Sequence, residues 1–303
     1  MRKMKTIIIA AAVLSIAMLA LVGCGSSGGQ QGGASDAGSS AADTSAAATS
    51  AAVAAPVAAS DQLPEGTKLI VGFDQEYPPY GFVGKNGEYT GFDLELAQEV
   101  CARNGWTYEA QPINWDTKLT ELNAGVFTCI WNGFTMEGRE GEYAFSAPYM
   151  DNSQVIMVKV DSDIQKLADL EGKTVATQAD SAAWEVLAGE EATQAKVAAT
   201  FKALELRPEY ATAAAELDAG AIDAMACDLS VAAYYMSQNP DMYRILDEHL
   251  SEEHYAVGVK IGNEALADQI TATLKEMTAD GTVEALCEKY AQYGISFKNW
   301  VLK

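Results

Sequence analysis

The chain has 303 residues, and its 42 acidic side chains outnumber its 20 basic ones, which gives a formal net charge of −22. An acidic surface repels phosphate backbones, so this composition argues against a nucleic-acid partner. The 2 His residues cannot furnish a His-rich metal centre, although carboxylates could hold a hard cation, and we expect neither a cofactor nor a metal.

The N-terminal segment has the order of a secretory signal. Basic residues at positions 2, 3 and 5 precede an apolar run from Ile7 to Val22, which is short for a membrane span of ~20 apolar residues. A retained membrane anchor is the alternative. The ending Leu21 to Cys24 resembles the bacterial lipoprotein processing box, which predicts removal of residues 1–23 and lipidation of Cys24. The protein would then be held at the outer face of the cytoplasmic membrane, in an extracellular or periplasmic location.

Residues 24–60 are expected to form a disordered tether. They are mainly Ala, Ser and Gly and contain no aromatic residue, so they cannot bury enough apolar surface to offset the entropy of ordering. A flexible coil of this length has a root-mean-square reach of roughly 30–35 Å. The folded part is therefore expected to begin at residue 61.

The first predicted elements frame a proline-rich loop. Lys68 to Phe73 is a short apolar run typical of a buried strand, and the prolines of the following segment, Pro78 and Pro79, favour a loop. Apolar residues at helical spacing then predict a helix that opens near Gly91 and stops at Gly105.

Helices and strands continue to alternate along the chain. The pattern predicts a helix from Trp115 to Asn123, a strand from Phe127 to Trp131, a strand from Lys173 to Thr177 and a helix from Ser181 to Leu187. This order favours an α/β fold with mainly parallel sheets.

Two segments of the sequence resemble each other, and this internal echo supports two similar halves of the fold. Leu122 to Gly133 and Leu217 to Asp228 both read as a helix end, a Gly cap and a strand at identical spacing, although generic helix–Gly–strand chemistry would produce the same pattern. If the echo is real, Gly133 and Asp228 both follow carboxyl ends of strands, where open α/β sheets bind ligands.

Several short stretches, taken in their order and spacing, resemble the extracytoplasmic solute-binding proteins of ATP-binding-cassette importers for polar amino acids, the family 3 type. The matching stretches are Val71 to Tyr80, Gly91 to Ala97, Trp115 with Asp116, Asn132 to Arg139, Phe145 to Tyr149, Asp169 to Lys173, Gly220 to Ala224 with Asp228, Tyr255 to Gly258, and Asp280 with Gly281. The resemblance covers nearly all of residues 63–293.

The resemblance implies a periplasmic-binding-protein-like fold of type II, with two α/β lobes, a hinge and a ligand cleft between them. The chain would cross near Asn152 and return near Leu250, so that residues 61–152 and 250–303 form a discontinuous lobe I and residues 153–249 form lobe II. The expected function is to bind a free polar amino acid by hinge closure and deliver it to a permease with its ATPase. Binding would involve no catalysis.

The resemblance places a carboxylate-binding group at Arg139, with the Thr135 hydroxyl and the Gly133 backbone nearby. A guanidinium suits this task because it can donate two parallel hydrogen bonds to one carboxylate. Arg139 also lies among three glutamates of the sequence, and from the residues alone a solvated salt-bridge cluster is the alternative. Backbone donors at Ser181 and Ala182, at the start of a predicted helix, would complete the carboxylate site.

For the rest of the ligand, the resemblance assigns the ammonium to Asp228, whose other use is a helix N-cap. Tyr77 and Trp115 would sandwich the aliphatic stem, unless they are ordinary core aromatics. Asp74 would meet the ligand's side chain and Gln178 could add an amide contact, which favours a polar or cationic side chain. Cystine, glutamine, lysine, arginine and histidine all remain open.

The cysteines other than Cys24 permit disulfides outside the cell, but buried free thiols suit their placement equally well, and we favour the thiols. These residues are Cys101, Cys129, Cys227 and Cys287.

Two other classes of function stay open. The first is an enzyme on the same fold, such as a cyclohexadienyl or arogenate dehydratase, which would need a general acid in the cleft, and Asp74 or Glu76 could serve. The second is a surface lipoprotein that senses its ligand and signals instead of transporting it.

Overall fold

A computed structural model describes residues 63–303. The predicted signal segment, Cys24 and the tether lie outside the described residues, so those assignments stay predictions. Within residues 63–303, none of the helices combines the length and the apolar character that crossing a membrane requires.

Strands and helices alternate through most of the described chain. The strands are β1 Lys68–Phe73, β2 Glu76–Tyr77, β3 Gly81–Val83, β4 Tyr89–Thr90, β5 Thr107–Pro112, β6 Cys129–Ile130, β7 Tyr143–Phe145, β8 Met150–Lys159, β9 Thr174–Gln178, β10 Ala203–Arg207, β11 Ala224–Asp228, β12 Tyr243–Ile245, β13 Ser251–Tyr255 and β14 Gly258–Lys260. The helices are α1 Phe92–Asn104, α2 Lys118–Ala124, α3 Ala182–Ala188, α4 Ala195–Ala198, α5 Tyr210–Ala219, α6 Leu229–Gln238, α7 Glu264–Ala279 and α8 Thr282–Tyr290. Short 3-10 helices lie at Trp115–Thr117, Leu167–Leu170, Ala291–Tyr293 and Phe297–Asn299.

Two mixed sheets share one plan. The first has the order β5-β1-β6-β14-β7 and the second the order β10-β9-β11-β8-β12, and β13 also pairs with β8. In each sheet the first three strands are parallel, the fourth strand (β14 or β8) is antiparallel to them, and the fifth strand (β7 or β12) is antiparallel to the fourth. We call the body around the first sheet lobe I and the body around the second lobe II. The sheets are thus parallel only in part, where the sequence predicted mainly parallel pairing.

Two neighbouring strands join the lobes. β8 and β13 are antiparallel, with Met150 opposite Tyr255 and Gln154 opposite Ser251. Met150 also bridges to Trp300 near the C-terminus, on the lobe I side, whereas the rest of β8 lies in the second sheet. The predicted boundary at Asn152 falls inside β8 and the one at Leu250 directly before β13. The boundaries themselves remain predictions.

Most of the predicted elements form with small shifts at their ends. The strand Lys68–Phe73 and the helix capped by Gly91 and Gly105 are confirmed. Gly91 is required because its φ is 142° and a Cβ there would lie 2.1 Å from the Tyr80 carbonyl oxygen. The predicted strand at 127–131 is shorter than expected, spanning Cys129–Ile130, and the helix predicted from 115 begins with a 3-10 turn.

The internal echo is visible in the fold. α2 ends at Gly125 and leads to β6, while α5 ends at Gly220 and leads to β11, and both glycines adopt the left-handed conformation. β6 and β11 occupy the same third position in their sheets. Among the described residues, the four cysteines outside the leader are buried free thiols.

Candidate functional site

A cavity of about 210 Å³ lies where the two lobes meet. Its lining is Tyr77, Trp115, Gly133, Thr135, Arg139, Gln178, Ser181, Ala182, Tyr210 and Asp228. Nine of these ten residues are the predicted site residues.

Arg139 is buried and has no ion-pair partner among the described residues. Its side chain donates to the Thr135 carbonyl oxygen at 3.0 Å and to the Asp180 carbonyl oxygen at 3.5 Å, and its guanidinium lies 4.9 Å from the centre of the Phe134 ring. Only 7 % of the residue is exposed, and within residues 63–303 it forms no ion pair. The nearby Glu137 instead pairs with His254 at 2.7 Å. A buried charge without a partner is costly, so this geometry suits an anionic ligand group rather than the surface salt-bridge cluster.

Two of the donors expected beside Arg139 already have acceptors in the protein. The backbone N–H of Gly133 donates to Asp93 at 2.6 Å, and the Thr135 hydroxyl donates to Glu253 at 2.9 Å. Gly133 therefore contributes its shape to the cavity, since a Cβ there would lie 2.9 Å from the Tyr77 ring. In the described conformation Arg139 is the principal donor at this end of the cavity.

The turn before α3 borders the same end of the cavity. Ser181 caps the helix, because its hydroxyl accepts from the backbone N–H of Trp184 at 3.1 Å, and Ala182 lines the cavity. Asp180 adopts a left-handed conformation with φ 57°. Its carboxylate makes an ion pair with Lys118 of lobe I and does not cap the helix.

Asp228 lies at the carboxyl end of β11 and is 3 % exposed. One carboxylate oxygen accepts hydrogen bonds from Asn152 at 3.0 Å, Gln154 at 2.7 Å and the Tyr255 hydroxyl at 2.8 Å. Asp228 occupies the N-cap position of α6, but its side chain makes no capping hydrogen bond to that helix. The other carboxylate oxygen receives no hydrogen bond from the described residues, which leaves it available for a cationic ligand group.

A second buried carboxylate, Glu253, shares the same donors and was missed from the sequence. One of its oxygens accepts from Asn152 at 2.7 Å and from Gln154 at 2.8 Å, so each amide group bridges Glu253 and Asp228. Burial and the neighbouring Asp228 carboxylate raise the pKa of Glu253 to about 8. A usable signal was present, because alternation along a strand places Glu253 on the same face as Tyr255.

Aromatic rings form the walls between the two ends. Tyr77 and Trp115 are nearly parallel, with ring centres 6.4 Å apart and planes 6° apart. A single layer of ligand atoms between two rings needs about 7 Å, twice a carbon–carbon contact distance, so a small widening of this slot admits an aliphatic stem. Tyr210, another lining residue missed from the sequence, has its ring centre 6.0 Å from that of Tyr77. It follows the carboxyl end of β10, the edge at which parallel sheets place site residues.

Asp74 is not among the residues that line this cavity, and its predicted contact with the ligand's side chain stays a prediction. Its carboxylate accepts from the Gln178 amide at 2.6 Å, and Gln178 reaches the cavity wall. Asp74 borders an adjoining groove of about 960 Å³ with further carboxylates at Asp116, Glu121 and Glu209. Burial raises the pKa of Asp74 to about 6. Among residues 63–303, no cluster of His, Cys, Asp and Glu is arranged to hold a metal ion.

Comparisons with known proteins are consistent with this site. Residues 69–293 match the bacterial extracellular solute-binding proteins, family 3. The chain is 29% identical over 233 residues to the L-cystine-binding protein TcyJ of Escherichia coli (strain K12), covering 76% of this chain and 85% of the relative. It is 30% identical over 237 residues to the arginine-binding extracellular protein ArtP of Bacillus subtilis (strain 168), covering 74% and 86%.

Solved structures of amino-acid-binding proteins are also similar to this chain in fold and sequence. A substrate-binding protein of an ABC uptake transporter from Streptococcus pneumoniae, with bound histidine, has a TM-score of 0.71 at 30% identity and covers 76% of this chain and 94% of that one. An ancestral amino acid-binding protein described as a precursor of cyclohexadienyl dehydratase has a TM-score of 0.66 at 30% identity, covering 74% and 95%.

Proposed function

The chain belongs to the bacterial extracellular solute-binding proteins of family 3, and we propose that its cleft binds one free polar amino acid between the lobes. One observation carries the proposal. Among residues 63–303, the buried guanidinium of Arg139 forms no ion pair, and one oxygen of the buried Asp228 carboxylate accepts no hydrogen bond. A zwitterion with its carboxylate at Arg139 and its ammonium at Asp228 balances both charges at once.

We expect the lobes to close on the ligand because the residues that contact it are divided between the two lobes. Arg139 and Trp115 belong to lobe I, whereas Asp228 and Tyr210 belong to lobe II, so a ligand makes all its contacts only when the lobes meet. A ligand that binds one conformation better shifts the population towards it. We place lobe I at residues 61–152 and 250–303 and lobe II at residues 153–249. The closed protein would then deliver the amino acid to a permease and its ATPase.

Relatives bind cystine, arginine and histidine, and these ligands define the first test. We expect one or a few members of a panel of the natural amino acids plus cystine to raise the unfolding temperature, because a ligand stabilises the state that it binds. Calorimetry then gives the stoichiometry, which we expect to be one ligand per chain. A panel without any stabilising amino acid would contradict the proposal.

The site argues against the dehydratase alternative. A general acid must reach the reacting group, but Asp74 and Glu253, two buried carboxylic acids of raised pKa beside the cleft, are both absent from the cavity lining. Charged groups at Arg139 and Asp228 suit an intact amino acid. Incubation with arogenate or prephenate should leave both compounds unchanged, and the appearance of their dehydrated, decarboxylated products would reverse this assignment.

The family is extracytoplasmic, and we propose that a lipid on Cys24 holds this member at the outer face of the membrane through the tether of residues 24–60. Two or more acyl chains make such attachment stable. Palmitate labelling of cells should mark the wild-type protein, and Cys24→Ser should abolish the label. Equal labelling of both proteins would contradict lipidation at Cys24.

A further inference from the structure

A pair of charged residues links the lobes outside the cavity. Lys118 begins α2 in lobe I, and its ammonium pairs with the carboxylate of Asp180 in lobe II. The same ammonium donates to the Asp180 carbonyl oxygen at 3.0 Å and to the Trp115 carbonyl oxygen at 3.2 Å. All three of its donors are thus used, and Lys118 is absent from the cavity lining.

Asp180 connects this pair to the site. It directly precedes Ser181 and Ala182, which line the cavity, and its carbonyl oxygen also receives the longer hydrogen bond from Arg139. Its φ of 57° lies in a region that residues other than glycine seldom adopt, so surrounding contacts must hold it there. Lys118 supplies two of these contacts, one to the carbonyl oxygen and one to the carboxylate.

The charge of Asp180 is a problem for a carboxylate ligand. The guanidinium of Arg139 bonds the Asp180 backbone, so the Asp180 side chain lies near the proposed position of the ligand's carboxylate. Two carboxylates in a partly buried place repel each other unless a cation lies between or beside them. Lys118 is that cation, with its side chain only 3% exposed.

The ammonium of Lys118 remains charged near neutral pH. Burial and the nearby Arg139 lower its pKa to about 8, while Asp180 and Glu185 act in the opposite direction. A buried ammonium is costly by itself, so the side chain is retained for an interaction and not for packing alone. It also lies 5.0 Å from the centre of the Trp115 ring, which favours the cationic form.

We propose that Lys118 and Asp180 are a positioning pair that latches the closed cleft and neutralises Asp180 beside the ligand's carboxylate. The pair forms only when the lobes meet, because one partner belongs to each lobe. It fixes the turn that leads into Ser181 while touching no part of the ligand. The neutralising role rests on the proposed amino-acid function, whereas the latch itself can be tested without any ligand.

The latch is tested by acetylation of lysines in the full chain, read by mass spectrometry, with and without L-arginine, L-cystine or L-histidine. Lys118 should react at less than about a tenth of the rate of the exposed Lys202 in the closed protein, since its ammonium is buried. Asp180→Asn should raise the rate at Lys118 at least about threefold and leave Lys202 unchanged. Equal rates at Lys118 and Lys202 in the wild type under all conditions would overturn the latch, as would an unaltered rate in the variant.

The neutralising role is tested by calorimetry with whichever of the three amino acids binds. Lys118→Met should weaken binding about tenfold or more, because it leaves Asp180 uncompensated. Adding Asp180→Asn to Lys118→Met should return the affinity to within about threefold of the wild type. Lys260→Met, at an exposed lysine that bonds the Asn123 carbonyl oxygen near the end of α2, is the matched control.

Three outcomes separate the hypotheses. A double variant as weak as Lys118→Met, in a chain that unfolds at the wild-type temperature, would show that the lysine acts through packing and would refute neutralisation. Normal binding by Lys118→Met would refute it as well. If the wild type binds no amino acid at all, the proposed function fails, while the acetylation rates still decide the latch.

Discussion

The two ends of the cavity handle charge in opposite ways. At one end, the cations Arg139 and Lys118 lie near the carboxylates of Asp180 and Glu185, and Lys118 pairs with Asp180, while Arg139 forms no ion pair among residues 63–303. At the other end, the carboxylates of Asp228 and Glu253 share donors, and within residues 63–303 neither forms an ion pair. Arg139 at one end and Asp228 at the other are thus buried groups of opposite charge without an ion pair among the described residues, which is the pattern that a zwitterion complements.

The difference shows two ways to compensate buried charge. At the positive end, Lys118 and Asp180 form an ion pair beside Arg139. The negative end uses neutral amides, Asn152 and Gln154, and a proton, because the raised pKa keeps Glu253 uncharged over much of the accessible range. We therefore expect variants at the two ends to differ in magnitude and in their dependence on pH.

The largest expected effect is at the negative end. Asp228→Asn keeps an oxygen for the hydrogen bonds from Asn152, Gln154 and Tyr255 but removes the charge that faces the cavity. Loss of one partner of a buried charge pair costs about 2–5 kcal/mol, so the affinity for the amino acid should fall more than about thirtyfold. Calorimetry measures the loss, with Asp241→Asn at an exposed site of lobe II as control. Unchanged affinity would remove Asp228 from the site.

At the positive end, a substitution that keeps the charge should be milder. Arg139→Lys retains a cation but loses the planar pair of donors that fits a carboxylate, so we expect a loss of affinity of about tenfold. Arg207→Lys, at a surface arginine paired with Glu216, controls for the change of residue type. If Arg139→Lys binds as tightly as the wild type, the ligand's carboxylate is not held by a bidentate guanidinium.

The proton at the negative end predicts a pH effect on stability. Glu253 is protonated in the folded protein up to about pH 8, whereas an unfolded glutamate loses its proton near the ordinary pKa of 4.5. Unfolding therefore releases a proton between these values, and the stability contributed by this group falls as the pH rises through that window. Glu253→Gln should remove this part of the decline.

Thermal unfolding from pH 5 to pH 8 checks the Glu253 prediction. The melting temperature of the wild type, relative to Glu253→Gln, should decrease by at least about 2 °C, since 1 kcal/mol corresponds to about 2–4 °C in a chain of this size. Glu252→Gln, at the adjacent residue that faces away from the core, should follow the wild type. Parallel curves for the wild type and Glu253→Gln would mean that Glu253 ionises normally.

The smallest effect on ligand affinity should come from Asp74, which contacts Gln178 but does not itself line the cavity. Asp74→Asn removes a charge that acts only through Gln178 and the nearby groove, so we expect the ratio of L-arginine to L-glutamine affinity to fall about threefold. Because the pKa of Asp74 is about 6, the wild type should approach the variant as the pH falls below that value. A ratio that is the same in both proteins at neutral pH would exclude this influence.

Local patterns in the sequence were sufficient for most of the fold. The apolar spacing of α1 and its glycine caps, and the repeated Gly-capped helix before β6 and β11, depend on neighbours a few residues away. The assignment of Arg139 and Asp228 to the site came from the resemblance to the solute-binding family, which rests on short motifs. These features are local in the chain, which is why the sequence predicts them.

The tertiary structure decided the hydrogen-bond partners of those residues. Lys118 and Asp180 are 62 positions apart, and Thr135 and Glu253 are 118 apart. Such pairs depend on how two lobes pack, and the sequence carries no periodic signal for them. The sequence, through its family resemblance, predicted that Arg139, Asp228 and the aromatic pair lie together at one site, and all four line the cavity. Only the packing of the lobes decided that Asp74 contacts Gln178 outside the cavity lining, that Glu253 joins the negative end and that Lys118 balances Asp180, because a buried charge is set by every group that surrounds it.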